Sequence, residues 1–199
     1  YQDMDLLVSE SEPTKKAVTR RYSVINKVGE LWVGYASSGN VEVLVETPEM
    51  HAIVAGSLYG PLADPENLRH EPNKKELGNL ALDSDGSFGL IIVRENTVMV
   101  VTDAGGSIPV YYGKGPKGLA VGTAVHHVAS CSGCTTIDEV SVVDYLLNAT
   151  VCYPYSWYEE IRMAPPGSAC SLDLAGERET STYWLPTEPD TVNDPCDTK

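Results

Sequence analysis

Residues 88–102 read Phe88-Gly-Leu-Ile-Ile-Val93, Arg94-Glu-Asn-Thr97 and Val98-Met-Val-Val-Thr102. Two apolar runs rich in β-branched residues flank a polar connection, so the segment predicts a β-hairpin. Both arms are continuously apolar, whereas a strand with one wet face alternates apolar and polar side chains. The hairpin is therefore expected to lie in a sheet covered on both faces, by a second sheet on one side and by helices on the other.

The flanking segments extend this picture. On the N-terminal side, Tyr22–Ala36 mixes Val, Ile, Leu, Trp and Tyr, and Val41, Val43 and Val45 alternate with Glu42, Leu44 and Glu46, so both segments predict strands. Ile53-Val-Ala55 ends at Gly56, and Tyr59-Gly60-Pro61 opens a polar stretch to Lys75 that reads as loop or short helix. On the C-terminal side, Ile108–Tyr112 and Leu119–Thr123 predict strands joined by the turn Gly113-Lys-Gly-Pro-Lys-Gly118, making the meander antiparallel. Ser141-Val-Val-Asp144 has a capping-box-like spacing and predicts a helix ending near Asn148, with Val142, Tyr145 and Leu146 on one side. Ala164-Pro-Pro-Gly167 then introduces two strands, Ala169–Leu174 and Glu179–Trp184, around Ala175-Gly-Glu-Arg178. The order of elements predicts an α+β fold with a layered antiparallel core.

Composition narrows the functional classes. A chain of 199 residues that is 42% hydrophobic has the size and apolar content of one ordinary domain. Its 28 acidic residues against 14 basic ones give a formal charge of −14, which argues against nucleic acid or an anionic membrane as the main partner. No run approaches the roughly 20 apolar residues of a membrane-spanning helix, and Tyr1–Arg20 lacks a basic head followed by an apolar block, so a soluble chain is expected. The cysteines Cys131, Cys134, Cys152, Cys170 and Cys196 are odd in number, in a chain too large to need disulfide staples. They are expected to be reduced thiols in a cytoplasmic protein.

Several short patterns resemble catalytic motifs without their context. Residues 113–118 match G-x-G-x-x-G, but Pro116 and Leu119-Ala-Val121 lead into a strand, where a dinucleotide loop would open a helix. Cys131-Ser-Gly-Cys134 is half of a possible zinc site or a redox pair, with no second pair at suitable spacing. The neighbours His126 and His127 diverge on either a strand or a helix, so they fit cap or edge positions better than a shared metal. Gly56-Ser57-Leu-Tyr-Gly60 lacks the residue that separates glycine from serine in a nucleophile elbow.

A larger pattern does carry information. Val54-Ala-Gly-Ser-Leu-Tyr-Gly60 is similar to an L-N-G-E-I-Y-N segment, and Asp85-Gly-Ser-Phe-Gly89 to a D-G-x-F-A strand. Thr102-Asp-Ala-Gly-Gly-Ser-Ile-Pro-Val-Tyr-Tyr112 is similar to R-D-x-x-G-x-x-P-L-Y-Y, and Gly122-Thr-Ala124 to an A-S-E strand end. Ile161-Arg-Met-Ala-Pro-Pro-Gly167 and Tyr183-Trp184 echo a closing I-x-x-L-P-P-G turn and a Y-W strand end. In this order the signatures resemble the N-terminal glutaminase-type domain of the class B asparagine synthetase family, which includes the β-lactam synthetases and lasso-peptide cyclases. The resemblance implies a four-layer αββα sandwich of the N-terminal-nucleophile kind over residues 1–185, followed by a linker or frayed tail over 186–199.

The resemblance also implies which groups are missing. The family's glutaminases attack the amide with an N-terminal cysteine, but residue 1 is Tyr1 and the first cysteine is Cys131. The oxyanion-donating asparagine of the family is matched by Ala55, and the glutamate of the same motif by Ser57. No arginine stands between Arg21 and Arg69 to clamp a glutamine carboxylate. Such a pattern looks like the β-lactam synthetases, which keep the domain as a scaffold. On this reading the chain contributes no catalytic, cofactor-binding or metal-ligating residue. ATP and Mg²⁺ are expected in a partner ATP-pyrophosphatase-type synthetase domain or chain, whose S-G-G-x-D-S phosphate loop is absent from the 199 residues. The chain is then a fragment or a subunit of an oligomeric, ATP-dependent, AMP-forming amide ligase. The aromatic segment Tyr153–Gly167, together with the strand ending at Trp184, would dock the second unit. The alternative is a free-standing binding or regulatory module on the same fold, with no ligase partner.

Overall fold

The hairpin forms as expected, with Asp85–Arg94 pairing antiparallel to Thr97–Thr102 in the computed structural model, which describes residues 5–13, 22–36 and 40–186. The twelve described strands are Leu6–Ser9 (β1), Val24–Val28 (β2), Leu31–Tyr35 (β3), Val41–Glu46 (β4), Met50–Tyr59 (β5), Asp85–Arg94 (β6), Thr97–Thr102 (β7), Tyr111–Gly115 (β8), Gly118–Gly122 (β9), Ile161–Met163 (β10), Ser168–Asp173 (β11) and Arg178–Thr182 (β12). They make two six-stranded sheets, ordered β10-β8-β9-β1-β3-β2 and β12-β11-β7-β6-β5-β4, and every pairing is antiparallel.

The alternation of side chains along β6 and β7 explains why both arms are apolar throughout. Ile91, Val93, Val98 and Val100 point between the sheets, where they meet Leu6, Val8, Val33 and Val121 of the first sheet. Leu90, Ile92 and Val101 point outward beneath Leu62, Leu68, Leu77 and Ala81. These last four come from a 3₁₀ turn, Pro61–Ala63, and two helices, Pro65–Arg69 (α1) and Lys74–Leu82 (α2). Helix α2 starts at a capping box in which Asn73 accepts from the Glu76 amide while the Glu76 side chain accepts from the Asn73 amide. On the outer face of the first sheet, helix Val125–Ser132 (α3) packs Val128 and Ala129 against Leu7, Ala120 and Ile161. The layers therefore run helix, sheet, sheet, helix.

The structure corrects several local readings. The strand expected from Ile108 starts at Tyr111, because Pro109 has no N–H for a ladder; Ile108 and Val110 are buried all the same. The turn expected over 113–118 shrinks to Pro116-Lys117, since Gly115 and Gly118 still pair across the strands. The last helix, Glu139–Asn148 (α4), is capped not by Ser141 but by Asp138, whose carboxylate accepts from the Val140 and Ser141 amides and the Ser141 hydroxyl. Strands β1 and β10 and helix α3 were not expected at all. The proposed tail over 186–199, Tyr1 and Cys196 fall, apart from Pro186, outside the described residues. No described helix is long and apolar enough to cross a membrane.

One buried side chain makes stability depend on pH. His51 on β5 is 4% exposed, and its Nδ1 has no hydrogen-bond partner. Burial holds the imidazole below the ordinary histidine value, against a weaker upward pull from Glu46. The unfolded chain, with histidine near about 6.5, binds this proton more readily than the folded one. The contribution of His51 is thus present above that value and is lost as pH falls below it. Thermal melts from pH 7.5 to 5 should show a falling midpoint, and His51→Leu should flatten that fall.

Candidate functional site

The end of the β5–β6 pair gathers the residues of two of the family-like signatures. Ser57 lies opposite Ser87, Leu58 opposite Gly86 and Tyr59 opposite Asp85. Gly56 and Gly86 both adopt positive φ, 97° and 124°. A Cβ on Gly56 would stand 2.2 Å from the Ser87 carbonyl oxygen, and one on Gly86 2.1 Å from that of Ser57. The two glycines let the strand ends pack backbone against backbone, which no other residue type permits without displacement.

The chemical groups around this frame are sparse. Ala55 is fully buried, pairs with Val41 and Gly89, and offers only a methyl group. The adjacent Gly56 amide already donates to the Asn40 carbonyl at 2.8 Å, so it is engaged within the fold. Ser57 is exposed. Arg94 pairs with Met50, at the opposite end of β5 and β6, and lines a cavity of about 530 Å³ there together with Arg69. The first arginines after Arg21 thus lie away from the Ala55–Asp85 end.

Asp103 orders the neighbouring loop. Its buried carboxylate accepts from the amides of Phe88 at 3.0 Å, Gly105 at 2.8 Å and Ser107 at 3.1 Å, and from the Ser107 hydroxyl at 3.1 Å. Its carbonyl accepts from the Gly167 amide at 2.8 Å, tying the 103–107 loop to the Pro165-Pro-Gly167 turn. Tyr183 closes the same region by donating its hydroxyl to the Thr102 carbonyl. Burial, with the charge of Asp103, pushes the Tyr183 phenol up to about 12, so it remains a neutral donor. A cavity of about 330 Å³ opens here, with Ser84, Asp85, Phe88, Asp103, Tyr183 and Trp184 among its lining.

The other candidates separate. Histidines 126 and 127 sit on α3 and diverge: His126 Nδ1 meets Tyr158 Oη at 2.9 Å and His127 Nδ1 meets Tyr22 Oη at 2.6 Å. The described cysteines are free thiols, with Cys131 and Cys134 buried in one cluster. Cys131 ends up buried on α3, where burial pushes its thiol up. Cys152 is exposed, and its thiol is raised by a hydrogen bond to Asp144 and by the charge of that carboxylate. Cys170 lies mid-sheet opposite Val100. An activated thiol needs a lowered pKa, and neither Cys131 nor Cys152 has one. Among the described residues, no cluster of three or more His, Cys, Asp or Glu could hold a metal ion.

The aromatic segment proposed for docking is only partly accessible. Tyr153, Tyr155 and Trp184 are exposed, but the Trp157 ring lies tilted against Tyr145 with 4.7 Å between ring centroids and packs toward the α3 cluster. Tyr183 is tied into the core. In the sequence Asp103 stands only as part of a signature. The pattern Asp-x-Gly-Gly-Ser, which suits a carboxylate bonding the amides that follow it, was the available signal for its role.

Comparison with known proteins agrees with this geometry. Residues 73–184 match the glutamine amidotransferase domain family, a span holding every signature quoted above except Val54–Gly60. The fold is that of N-terminal-nucleophile glutamine amidotransferases. The allosteric regulatory enzyme of purine biosynthesis aligns over 92% of this chain and 43% of its own, with a TM-score of 0.52 and 10% identity. Glutamine phosphoribosylpyrophosphate amidotransferase from B. subtilis, solved with ADP and GMP, aligns over 92% and 44%, with a TM-score of 0.51 and 11% identity. The chain thus spans less than half the length of either protein. No curated protein sequence matches it. Because the family match covers more than half of the residues, the chain belongs to the glutamine amidotransferase domain family.

Proposed function

We propose that this chain is a glutamine amidotransferase domain that has lost glutaminase chemistry and serves as the scaffold half of an ATP-dependent, amide-forming ligase of the asparagine synthetase or β-lactam synthetase type. The carrying observation is the state of the oxyanion position. Ala55 has no side-chain donor to offer, and the Gly56 amide beside it is bonded to the Asn40 carbonyl. A tetrahedral intermediate formed at this strand end would have no preorganised donor from either residue, a loss typically worth about 10²–10³ in rate for one donor. The raised thiols of Cys131 and Cys152 and the placement of Arg69 and Arg94 at the opposite end of the β5–β6 pair support the same reading. What persists is the architecture: the glycine pair, the Asp103 loop and the Pro165-Pro-Gly167 turn.

In this proposal the partner half adenylates a carboxylate with ATP and Mg²⁺, and an amine then displaces AMP. This chain binds neither; it supplies packing and one wall of the cleft. Incubated with glutamine, the purified chain should release no more ammonia than a protein-free control. Ammonia release that disappears on thiol alkylation would overturn the loss of glutaminase chemistry. Recovery of native material without any co-purifying polypeptide that forms AMP from ATP would overturn the ligase role and leave a binding or regulatory module.

A further inference from the structure

The cavity of about 530 Å³ at the Met50–Arg94 end of β5 and β6 lies where three connections meet. The β4–β5 turn brings Glu49 to it, the β6–β7 turn brings Glu95, and the segment after α1 brings Arg69 and Glu71. Met50 and Met99 supply an apolar wall from the strands beneath. The volume falls within the roughly 300–1,000 Å³ of small-molecule pockets. Two of the three described non-glycine residues at positive φ, Glu71 at 57° and Glu95 at 40°, belong to the lining. Such conformations cost energy and persist only where the surrounding structure holds them.

The charges of the lining are arranged by depth. Arg69, at the surface, is ion-paired with Glu66. Arg94 is half-buried and makes no ion pair among the described residues. Its Nη2 donates to the Leu68 carbonyl at 2.7 Å, and its Nε is buried with no hydrogen-bond partner. Burial pulls the guanidinium below its ordinary value, and the charge of Glu71 opposes that pull without closing into an ion pair. Glu49, Glu71 and Glu95 are exposed, and none of them is ion-paired among the described residues. A simple anion would meet these carboxylates and the chain's net charge of −14, whereas a simple cation would meet Arg94.

We propose that this cavity binds a small aromatic zwitterion, with its carboxylate on the Arg94 guanidinium, its ammonium among the Glu49, Glu71 and Glu95 carboxylates, and its ring against Met50 and Met99. A guanidinium fork with donors to spare matches a carboxylate, and burial strengthens the pair. Thioethers adapt to ring edges and make favourable sulfur–aromatic contacts. A ligand of zero net charge escapes the repulsion that the acidic chain imposes on anions. The site is separate from the Ala55–Asp85 end, and the inference does not depend on the proposed ligase role.

Calorimetric titration of the full chain with phenylalanine, to about 20 mM, tests it, with a Kd expected at about 1 mM or below. Phenylalaninamide lacks the carboxylate, hydrocinnamate the ammonium and glutamine the ring; each should bind about tenfold more weakly or worse. Arg94→Gln should lose affinity by about tenfold or more. Because Arg94 also ties down the Leu68 carbonyl, Thr97→Trp is the second variant: it fills the cavity from β7, keeps the guanidinium and should abolish binding. Saturating phenylalanine should raise the thermal midpoint of the wild type but not of either variant. Absence of binding to the wild type at the highest concentration, equal binding of any one of the three analogues, or unchanged binding in either folded variant overturns the proposal.

Discussion

Ile91→Asp and Val100→Asp should each abolish the fold or cost about 4 kcal/mol or more, a large share of a domain's roughly 5–15 kcal/mol. The two residues face each other across β6 and β7, each no more than 1% exposed, in the cluster between the sheets. A carboxylate there has no cation within the cluster and no route to water. Ile92→Asp, on the other face of the same strand under α2, should be comparably damaging, because Ile92 is also fully buried. Chemical denaturation followed by tryptophan fluorescence reads the effect. Soluble variants with unshifted midpoints would contradict the two-sided burial of this hairpin.

Asp103→Ala should cost about 3 kcal/mol or more, although it removes little apolar area. The carboxylate satisfies two backbone amides of its own loop, that of Phe88 on β6 and the Ser107 hydroxyl. Losing it strands the buried Phe88 amide and releases the 103–107 loop from its turn, and charged hydrogen bonds carry about 1.5–3 kcal/mol each. Asp103→Asn should fall between, since one amide oxygen serves the loop donors while the NH₂ group is set against the Phe88 amide. Hydrogen exchange should place the loss at Phe88 and Gly105 first. Wild-type stability in both variants would mean that the loop is held by its packing on Pro166 instead.

The strongest elements were readable because their physics is local. Continuous apolar arms in β6 and β7 imply two covered faces, and that inference needs no knowledge of what covers them. Strand β1 escaped because Leu6–Ser9 is four residues long and its reason for being a strand lies elsewhere, in β3 and β9 on either side. Helix α3 escaped because it has no side-chain cap and its polar pair His126-His127 interrupts the apolar face, while Gly133 ends it in a left-handed conformation. For the candidate site, the absence of a side-chain donor at Ala55 is visible in the residues. The engagement of the Gly56 amide by Asn40 was not, because it depends on where β4 begins. Leu146, which the sequence groups with Val142 and Tyr145, faces outward on α4 for a related reason: a helical period shows that one side is apolar but not which side meets the body.

The central position of β1 has a consequence for how the molecule comes into being. The first described strand sits between β3 and β9, and its Leu6 amide bonds to the Thr123 hydroxyl 117 residues away. Loop closure over such a distance is entropically slow. During synthesis β1 can pair with β3 early, but its other edge stays open until residue 118 and its successors have left the ribosome. The β1-β3-β2 half of the sheet can therefore form first and the β9-β8-β10 half is added late, and chains halted before β9 would present an unpaired, apolar strand edge of the kind that recruits other chains.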